Sequence, residues 1–264
     1  MADAYFAPSF ADAAVGRYES AAATGGPWDP RLQHGGPPTA LLVRAAERLA
    51  AAEAGRNDLI ALRIAAEFVG PVPVGAIETS ARVVRAARSG VLVEARLTAG
   101  DRPCLDARVW LVRDADTTAV APVAGPAQPP RADLPGLGFS FPYSDSIEWR
   151  AESGALTVPG PAVMWARPLL RLVADEELTG LQRAALVGDS ASGVSAELSW
   201  DEWSFLNVDL DVHLARPVVG DWIRLDAATQ LGGHGAALAR STLSDERGPF
   251  GCTAQTLILA ARGG

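Results

Sequence analysis

Charge is scarce in this sequence, and cysteine is scarcer. Asp, Glu, Lys and Arg make up 20% of its 264 residues and leave a formal net charge of −8. That balance disfavours nonspecific attraction to nucleic acid or to an anionic membrane, although a local basic patch could still hold a phosphorylated ligand. Two cysteines, Cys104 and Cys252, are too few for a disulfide scaffold and stand in no metal-ligand spacing, so they read as reduced packing residues. No uninterrupted apolar run is long enough to cross a bilayer. The opening M-A-D-A-Y-F-A-P-S-F lacks a basic region followed by an apolar stretch, so no signal peptide is expected and the expected location is the cytoplasm. A G-x-S-x-G elbow, a Walker loop and a dinucleotide fingerprint are also missing. A serine hydrolase of the α/β type, a P-loop enzyme and a dinucleotide-binding enzyme are therefore unsupported.

What the chain has instead is apolar residues, 48% of it, enough for one large domain or two of ordinary size. It also has an internal likeness. Residues 68–112 run F-V-G-P-V-P-V-G-A-I-E-T-S-A-R, then R-S-G-V-L-V-E-A-R-L, a turn at Gly100–Asp101, and A-R-V-W-L-V. Residues 213–259 run H-L-A-R-P-V-V-G-D-W-I-R-L-D-A, then G-H-G-A-A-L-A-R-S-T-L, a turn at Asp245–Gly248, and A-Q-T-L-I-L. Pro71 lies 146 residues before Pro217, Gly75 lies 145 before Gly220, and Gly90 lies 145 before Gly235. A period so long marks a duplicated domain and not a solenoid. Two like halves make a pseudo-twofold interface, where a cleft can form.

Each half combines a helix with antiparallel strands. Pro37 and Pro38 suit the first turn of a helix, Thr39–Ala54 are nearly all helix formers, and Gly55 with Arg56 and Asn57 supplies a stop. Its apolar positions run most of the way round, which implies burial on most sides. Strands are expected over Leu59–Val69, Gly75–Ala87, Val91–Ala99 and Pro103–Val112, with Cys104 in the last of them. Residues 114–142 hold six prolines and few strand formers and read as a linker between a first repeat over 1–113 and a second over 143–264. The second repeat is expected to contain strands near Ile147–Ser153 and Val163–Arg167 and a helix over Asp175–Val187 ending at G-D-S-A-S-G. Strands over Val194–Trp200, Asn207–Ala215, Asp221–Leu231, Gly235–Leu243 and Phe250–Ala260 complete it, Cys252 again in the last. Asn207, Asp209, Asp211 and His213 alternate with Val208, Leu210, Val212 and Leu214, so period two sets the first four on one, polar, face. The fold class is α+β, each sheet wrapped on its helix.

A helix wrapped by a long antiparallel sheet, twice in one chain, looks like a double hotdog. The segment F-L-N-V-D-L-D-V-H-L-A-R-P (Phe205–Pro217), followed by G-D-W-I-R-L-D-A, G-G-H-G-A-A-L-A-R, a D-x-x-G turn and T-A-Q-T-L-I, resembles the C-terminal repeat of acyl-CoA thioesterase II-like proteins. L-Q-H-G-G-P-P-T-A-L-L-V-R-A-A-E resembles the start of the buried helix in the same family. The resemblance implies hydrolysis of acyl-CoA to a carboxylic acid and CoA, with no cofactor and no metal. In that family an Asp, a Thr or Ser, and a Gln hold the attacking water; Asp189 and Gln255 match the first and last. The hydroxyl position, nine residues before Arg216, is Asn207, a departure whose amide can still bond a water. The Asp–His pair that hotdog hydratases carry at the helix start is absent.

In such a site Asp189 would take the proton of the water, and Asn207 and Gln255 would fix its direction. Gly35 and Gly36, at the first helix start, would offer N–H groups to the oxyanion, and His34 would contact the acyl-CoA. Each residue also has a plainer reading. Asp189 can close a turn, Asn207 can belong to a solvated strand face, Gln255 can be a structural amide and His34 a loop residue. His213 and His234 have no partnered nucleophile, and G-G-H-G joins two strands without opening a helix, so it is no phosphate site. Beside the hydrolase stand two other readings, a noncatalytic acyl-thioester binder and a purely structural protein. A homodimer is expected, because pairing is one remedy for long edge strands.

Overall fold

The computed structural model describes residues 3–55, 58–121 and 128–262. Its first part contains β1 (Ala4–Ala11), β2 (Val15–Ser20), α1 (Gly36–Ala54), β3 (Leu59–Phe68), β4 (Ala76–Ala87), β5 (Gly90–Ala99) and β6 (Arg102–Arg113). The second contains β7 (Ile147–Ala155), β8 (Val158–Pro168), β9 (Arg171–Val173), α2 (Gly180–Gly188) and α3 (Ala191–Val194). It continues with β10 (Trp203–Asn207), β11 (Asp209–Leu214), β12 (Ile223–Leu231), β13 (Ala236–Asp245) and β14 (Gly248–Ala261). The strands form one sheet in the order β7-β8-β12-β13-β14-β11-β3-β6-β5-β4-β2-β1-β9, with β10 also on β14.

Outward from the middle, β3-β6-β5-β4-β2-β1 on one side repeats β11-β14-β13-β12-β8-β7 on the other, strand for strand. The central pair, β3 and β11, is antiparallel and sets Ala65 opposite Asp211. Those two positions are 146 residues apart, the offset that separates Pro71 from Pro217. Equivalent residues facing each other across an antiparallel pair are what a twofold axis through that pair produces. The short strand β9 crosses over and pairs in parallel with β1, so the second half covers an edge of the first.

Helix α1 starts at Gly36, with Pro37 and Pro38 in its first turn, and stops at Gly55, which takes the left-handed conformation (φ 58°). Arg56 and Asn57, expected to help the stop, lie outside the described residues. The near-continuous apolar surface of α1 is accounted for by two neighbours: β3 to β6 receive one side and α2 the other. Leu41, Leu42, Val43, Ala46 and Leu49 are buried there. Arg44 is buried as well, its guanidinium held by both oxygens of Glu176 at 2.5 Å and by the Tyr18 hydroxyl at 2.8 Å.

Where α1 crosses the start of α2, Glu47 accepts from Thr179 Oγ1 (2.8 Å) and Gln182 Nε2 (2.5 Å). Burial pushes its carboxyl up to about 7, against the opposing pull of those two bonds and of the Arg44 charge. A folded pKa above the unfolded value means the folded state binds the extra proton, so this group destabilises the fold as pH rises from about 4.5 to about 7. Glu47→Gln is expected to be more stable than the wild type at pH 8, by on the order of 1–3 kcal/mol, and to lose that advantage at pH 4.5. Urea unfolding at both pH values checks this; a gap that does not change with pH contradicts it.

Several expectations need correction. Residues 175–179 are not helical: Asp175 has φ 63°, and Thr179, in extended conformation, caps α2 by accepting from the Gln182 amide. Val194–Trp200 is no strand, because the chain turns again after α2 into α3 before running irregularly to β10. β1 and β2 were not anticipated; their Ala, Ser, Pro8 and Gly16 give weak strand signals. Cys104 is buried in β6, but Cys252 is exposed on β14 and is not a packing residue. Among the described residues no helix is long and apolar enough to cross a membrane.

Candidate active site

The end of α2, the start of α1 and the β10–β14 edge meet around a cavity of about 500 Å³. Its walls are mainly apolar and carry Trp28, Phe68, Phe141, Trp149, Trp200 and Phe205. Trp28 stacks on Trp200 at 4.9 Å, and Phe205 meets both rings edge-on, at 4.9 and 4.6 Å. Among the wall residues are four polar or glycine positions that the sequence singles out: His34, Gly35, Asp189 and Asn207.

Asp189 follows the last residue of α2 as its C-cap and is 4% exposed. Its Oδ1 accepts from Asn207 Nδ2 (2.8 Å) and from Gln255 Nε2 (3.2 Å). Its Oδ2 lies 2.9 Å from His34 Nδ1. Three side chains from three separate elements therefore converge on one carboxylate. By lone-pair count Oδ1 is filled and Oδ2 retains one acceptor site. The Gly36 N–H also lies 3.2 Å from His34 Nδ1. One ring nitrogen cannot donate to a carboxylate and accept from an amide together, and the shorter, charge-assisted contact assigns the proton to Nδ1. The imidazole is held by stacking on Tyr143, centroids 3.9 Å apart and planes 6° from parallel. Tyr143 itself is anchored by donating to the Leu186 carbonyl (2.7 Å), and burial pushes its phenol well up, so it stays a neutral donor.

The orientation of Asn207 has a local cause. Against β14, Asn207 pairs with Leu257 but Asp211 pairs with Ala254, so one extra residue is inserted between them. Such a bulge flips the phase of the alternation. Leu210, Val212 and Leu214 face inward after it, whereas Phe205 faces inward before it and Leu206 is exposed. Asn207 thus leaves the solvated face that Asp209, Asp211 and His213 occupy and turns toward Asp189. Its Oδ1 has no protein donor among the described residues.

Gln255, in β14, is fully buried and fully engaged. Its Nε2 donates to the Asp189 carbonyl (3.1 Å) as well as to Oδ1, and its Oε1 accepts from the Ser192 N–H (3.2 Å). It ties the carboxylate and the first turn of α3 to the sheet. Gly35 lines the cavity, its N–H has no protein acceptor among the described residues, and a Cβ there would lie 2.8 Å from Asp189 Oδ2 and 2.6 Å from the Phe68 ring. Gly36 packs inward against α2. Because Pro37 and Pro38 have no N–H, the free donors at this helix start are confined to the two glycines. His213 and His234 are exposed and do not line the cavity. Arg216 is bound to buried Asp245 at 2.6 and 2.8 Å, outside the cavity walls.

The sequence reading missed the aromatic walls and the part played by the segment before β7. Leu137 and Phe141 line the cavity although they belong to the stretch read as a linker. The alternating F-S-F-P-Y of residues 139–143 was the available signal. Among the described residues no cluster of His, Cys, Asp and Glu has metal-binding geometry.

These features can be set beside known proteins. The structure superposes over 98% of the chain, with a TM-score of 0.75 and 16% identity, on a conserved protein of unknown function with a hot dog fold from Alicyclobacillus acidocaldarius, covering 97% of it. It matches an acyl-CoA thioesterase II of Mycobacterium marinum with a TM-score of 0.71 and 14% identity, over 97% of this chain and 96% of that one. A tesB protein from Mycobacterium avium subs paratuberculosis gives 0.70 and 16%, over 96% and 95%. The fold is a double hotdog. Residues 24–112 match the acyl-CoA thioesterase N-terminal domain and residues 118–259 the acyl-CoA thioesterase C-terminal domain. The chain belongs to the acyl-CoA thioesterase family. No curated protein matches it.

Proposed function

We propose that the protein hydrolyses acyl-CoA thioesters with a water held at Asp189. The observation that carries this is the buried carboxylate with one acceptor site left, beside an apolar cavity and an unpaired backbone N–H. The water donates one hydrogen to Asp189 Oδ2 and the other to Asn207 Oδ1, which aims its lone pair at the carbonyl carbon. An acceptor is all that position 207 must supply, so an amide serves where the family has a hydroxyl. As the C–O bond forms, Asp189 takes the proton and the carbonyl oxygen becomes an oxyanion facing the Gly35 N–H at the positive end of α1. Collapse of the intermediate breaks the C–S bond, and the proton passes from Asp189 to the departing thiolate. Atoms balance as thioester plus water to acid plus thiol.

In this reading Gln255 and His34 position the carboxylate from either side and touch no reacting atom. The acyl chain lies in the aromatic-walled cavity, where each buried methylene contributes about 0.8 kcal/mol. The division into repeats over 1–113 and 143–264, the homodimer and the cytoplasmic location are parts of the same proposal.

Free-thiol release from short, medium and long acyl-CoAs tests it. Turnover is expected, with a maximum at a chain length the cavity accommodates. A folded protein that binds these thioesters and releases no thiol would instead be the noncatalytic binder.

A further inference from the structure

We propose that Trp200 limits the acyl chain this protein accepts: its indole seals the inner end of the cavity, and chains beyond medium length stop against it. The inference rests on the hydrolase reading for the place of the thioester, and adds the residue that sets the substrate class.

The cavity has a wet end and a dry end. Among its wall residues Pro71, Leu206 and Ile258 are exposed, and the last two face each other as a register pair on β10 and β14. Leu137, Trp149 and Leu156 are buried, and the latter two belong to β7 and the turn after it, at the far edge of the sheet. CoA carries phosphates and polar amides, which are costly to strip of water, so it stays at the wet end. The acyl chain is apolar beyond its carbonyl and runs to the dry end.

That end is closed by Trp200. Its Nε1 donates to the Leu156 carbonyl at 3.3 Å. Its Cζ2 and Cη2 atoms lie 3.6 Å, and Leu156 Cδ1 4.0 Å, from the point where a Cβ on Gly193 would stand. Three cavity-wall residues, from α3, the β7–β8 turn and the segment before β10, therefore meet around a gap that one methyl group would fill. Other rings hold the indole in place: Trp28 stacks on it at 4.9 Å and Phe139 at 5.6 Å, and Phe205 meets it edge-on at 4.6 Å.

Phe205 also gives the distance to the chemistry. It faces inward on β10 as Asn207 does, two residues and about 7 Å away along the strand. Trp200 is one ring contact beyond Phe205, so a carbonyl held at Asn207 stands on the order of 10 Å from the seal. An extended chain of C–C bonds advances about 1.3 Å per carbon and fills that run with about eight carbons.

The test measures kcat/KM on saturated acyl-CoAs from short to long, in two-carbon steps, for wild type, Trp200→Leu, Leu156→Ala and Leu206→Ala. Wild type is expected to gain up to about fourfold per added methylene, the equivalent of ~0.8 kcal/mol, until the chain reaches the seal. Beyond that break it should lose about tenfold or more, because the extra carbons overpack the dry end. Trp200→Leu and Leu156→Ala open the seal from its two sides, and each should move the break to chains longer by about two carbons or more. Leu206→Ala, at the wet end, should leave the break in place. The break is read within one protein, so partial unfolding of a variant, which scales every substrate alike, cannot imitate its shift. A break that does not move in Trp200→Leu overturns the inference; should that variant fail to fold, Leu156→Ala decides in its place. A shift produced by Leu206→Ala alone overturns it too, because the chain would then run to the wet end. An equal loss on every chain length in Trp200→Leu is likewise contrary, since it puts the CoA arm against Trp200. If wild type releases no thiol from any acyl-CoA, the hydrolase reading fails. Binding of S-alkyl-CoA thioethers of graded length then reads the break without turnover: a shift in Trp200→Leu supports the inference, and an unmoved break overturns it.

Discussion

Asp189→Ala is expected to lower thiol release from acyl-CoA by about 10²–10⁴-fold, the usual range for removing a general base. The same substitution frees three donors at once: Asn207 Nδ2, His34 Nδ1 and one hydrogen of Gln255 Nε2. Gln255 keeps its bond to the Asp189 carbonyl, and that limits the structural damage. An unpaired buried donor still costs about 1–3 kcal/mol, so a drop in thermal stability accompanies the loss of activity. Measuring kcat and KM together with binding of a nonhydrolysable thioether separates the two effects. Binding retained with kcat lost assigns Asp189 to the reacting water. Activity retained at wild-type level with a folded protein would rule out Asp189 as the base and remove the central step of the mechanism.

Much of the scaffold could be read from the chain, and the reason is physical. β3 to β6 are long apolar runs closed by Gly or Asp turns, and β12 to β14 repeat the pattern, so local propensity and tertiary role agree. The stop at Gly55 was legible because only a left-handed position asks for glycine there. β1 and β2 escaped notice because their strand character comes from pairing and from contact with the rest of the sheet. Asp189 and Gln255 came from family resemblance; nothing in their local pattern sets them apart from a turn aspartate and a structural amide. Asn207 is the more instructive case. Its perfect alternation with Asp209 and Asp211 pointed to solvent, and the bulge at Val208 reverses that. A one-residue insertion in strand pairing leaves no mark on the periodicity of the strand that carries it. The approach of His34 to Asp189 depends on how two helices from different halves cross, which no local pattern encodes.

That crossing is itself open to test through Gly36. A Cβ on Gly36 would fall far inside the 3.0 Å that real Cβ contacts respect, against the backbone carbonyl oxygen of Leu186. The obstacle is helix backbone, which cannot swing aside as the tip of a side chain can. The same carbonyl accepts the buried Tyr143 hydroxyl, and Tyr143 supports the His34 ring. Gly36→Ala must therefore push α1 away from α2, weakening the Tyr143 bond and drawing His34 and Gly35 back from Asp189. Overpacking of this kind costs about 1–3 kcal/mol, and disturbing a buried hydrogen bond adds about 1 kcal/mol. Gly35→Ala provides the contrast: its Cβ meets the movable ring tip of Phe68 and the Asp189 carboxylate, so it should affect activity more than stability. Urea midpoints and thiol release measured on both variants give a crossed pattern, stability falling most for Gly36→Ala and the ratio of activity to folded protein falling most for Gly35→Ala. If Gly36→Ala unfolds at the wild-type midpoint, α1 and α2 can separate freely, and their crossing is not what sets the distance between Gly35 in one half and the Asp189 carboxylate in the other.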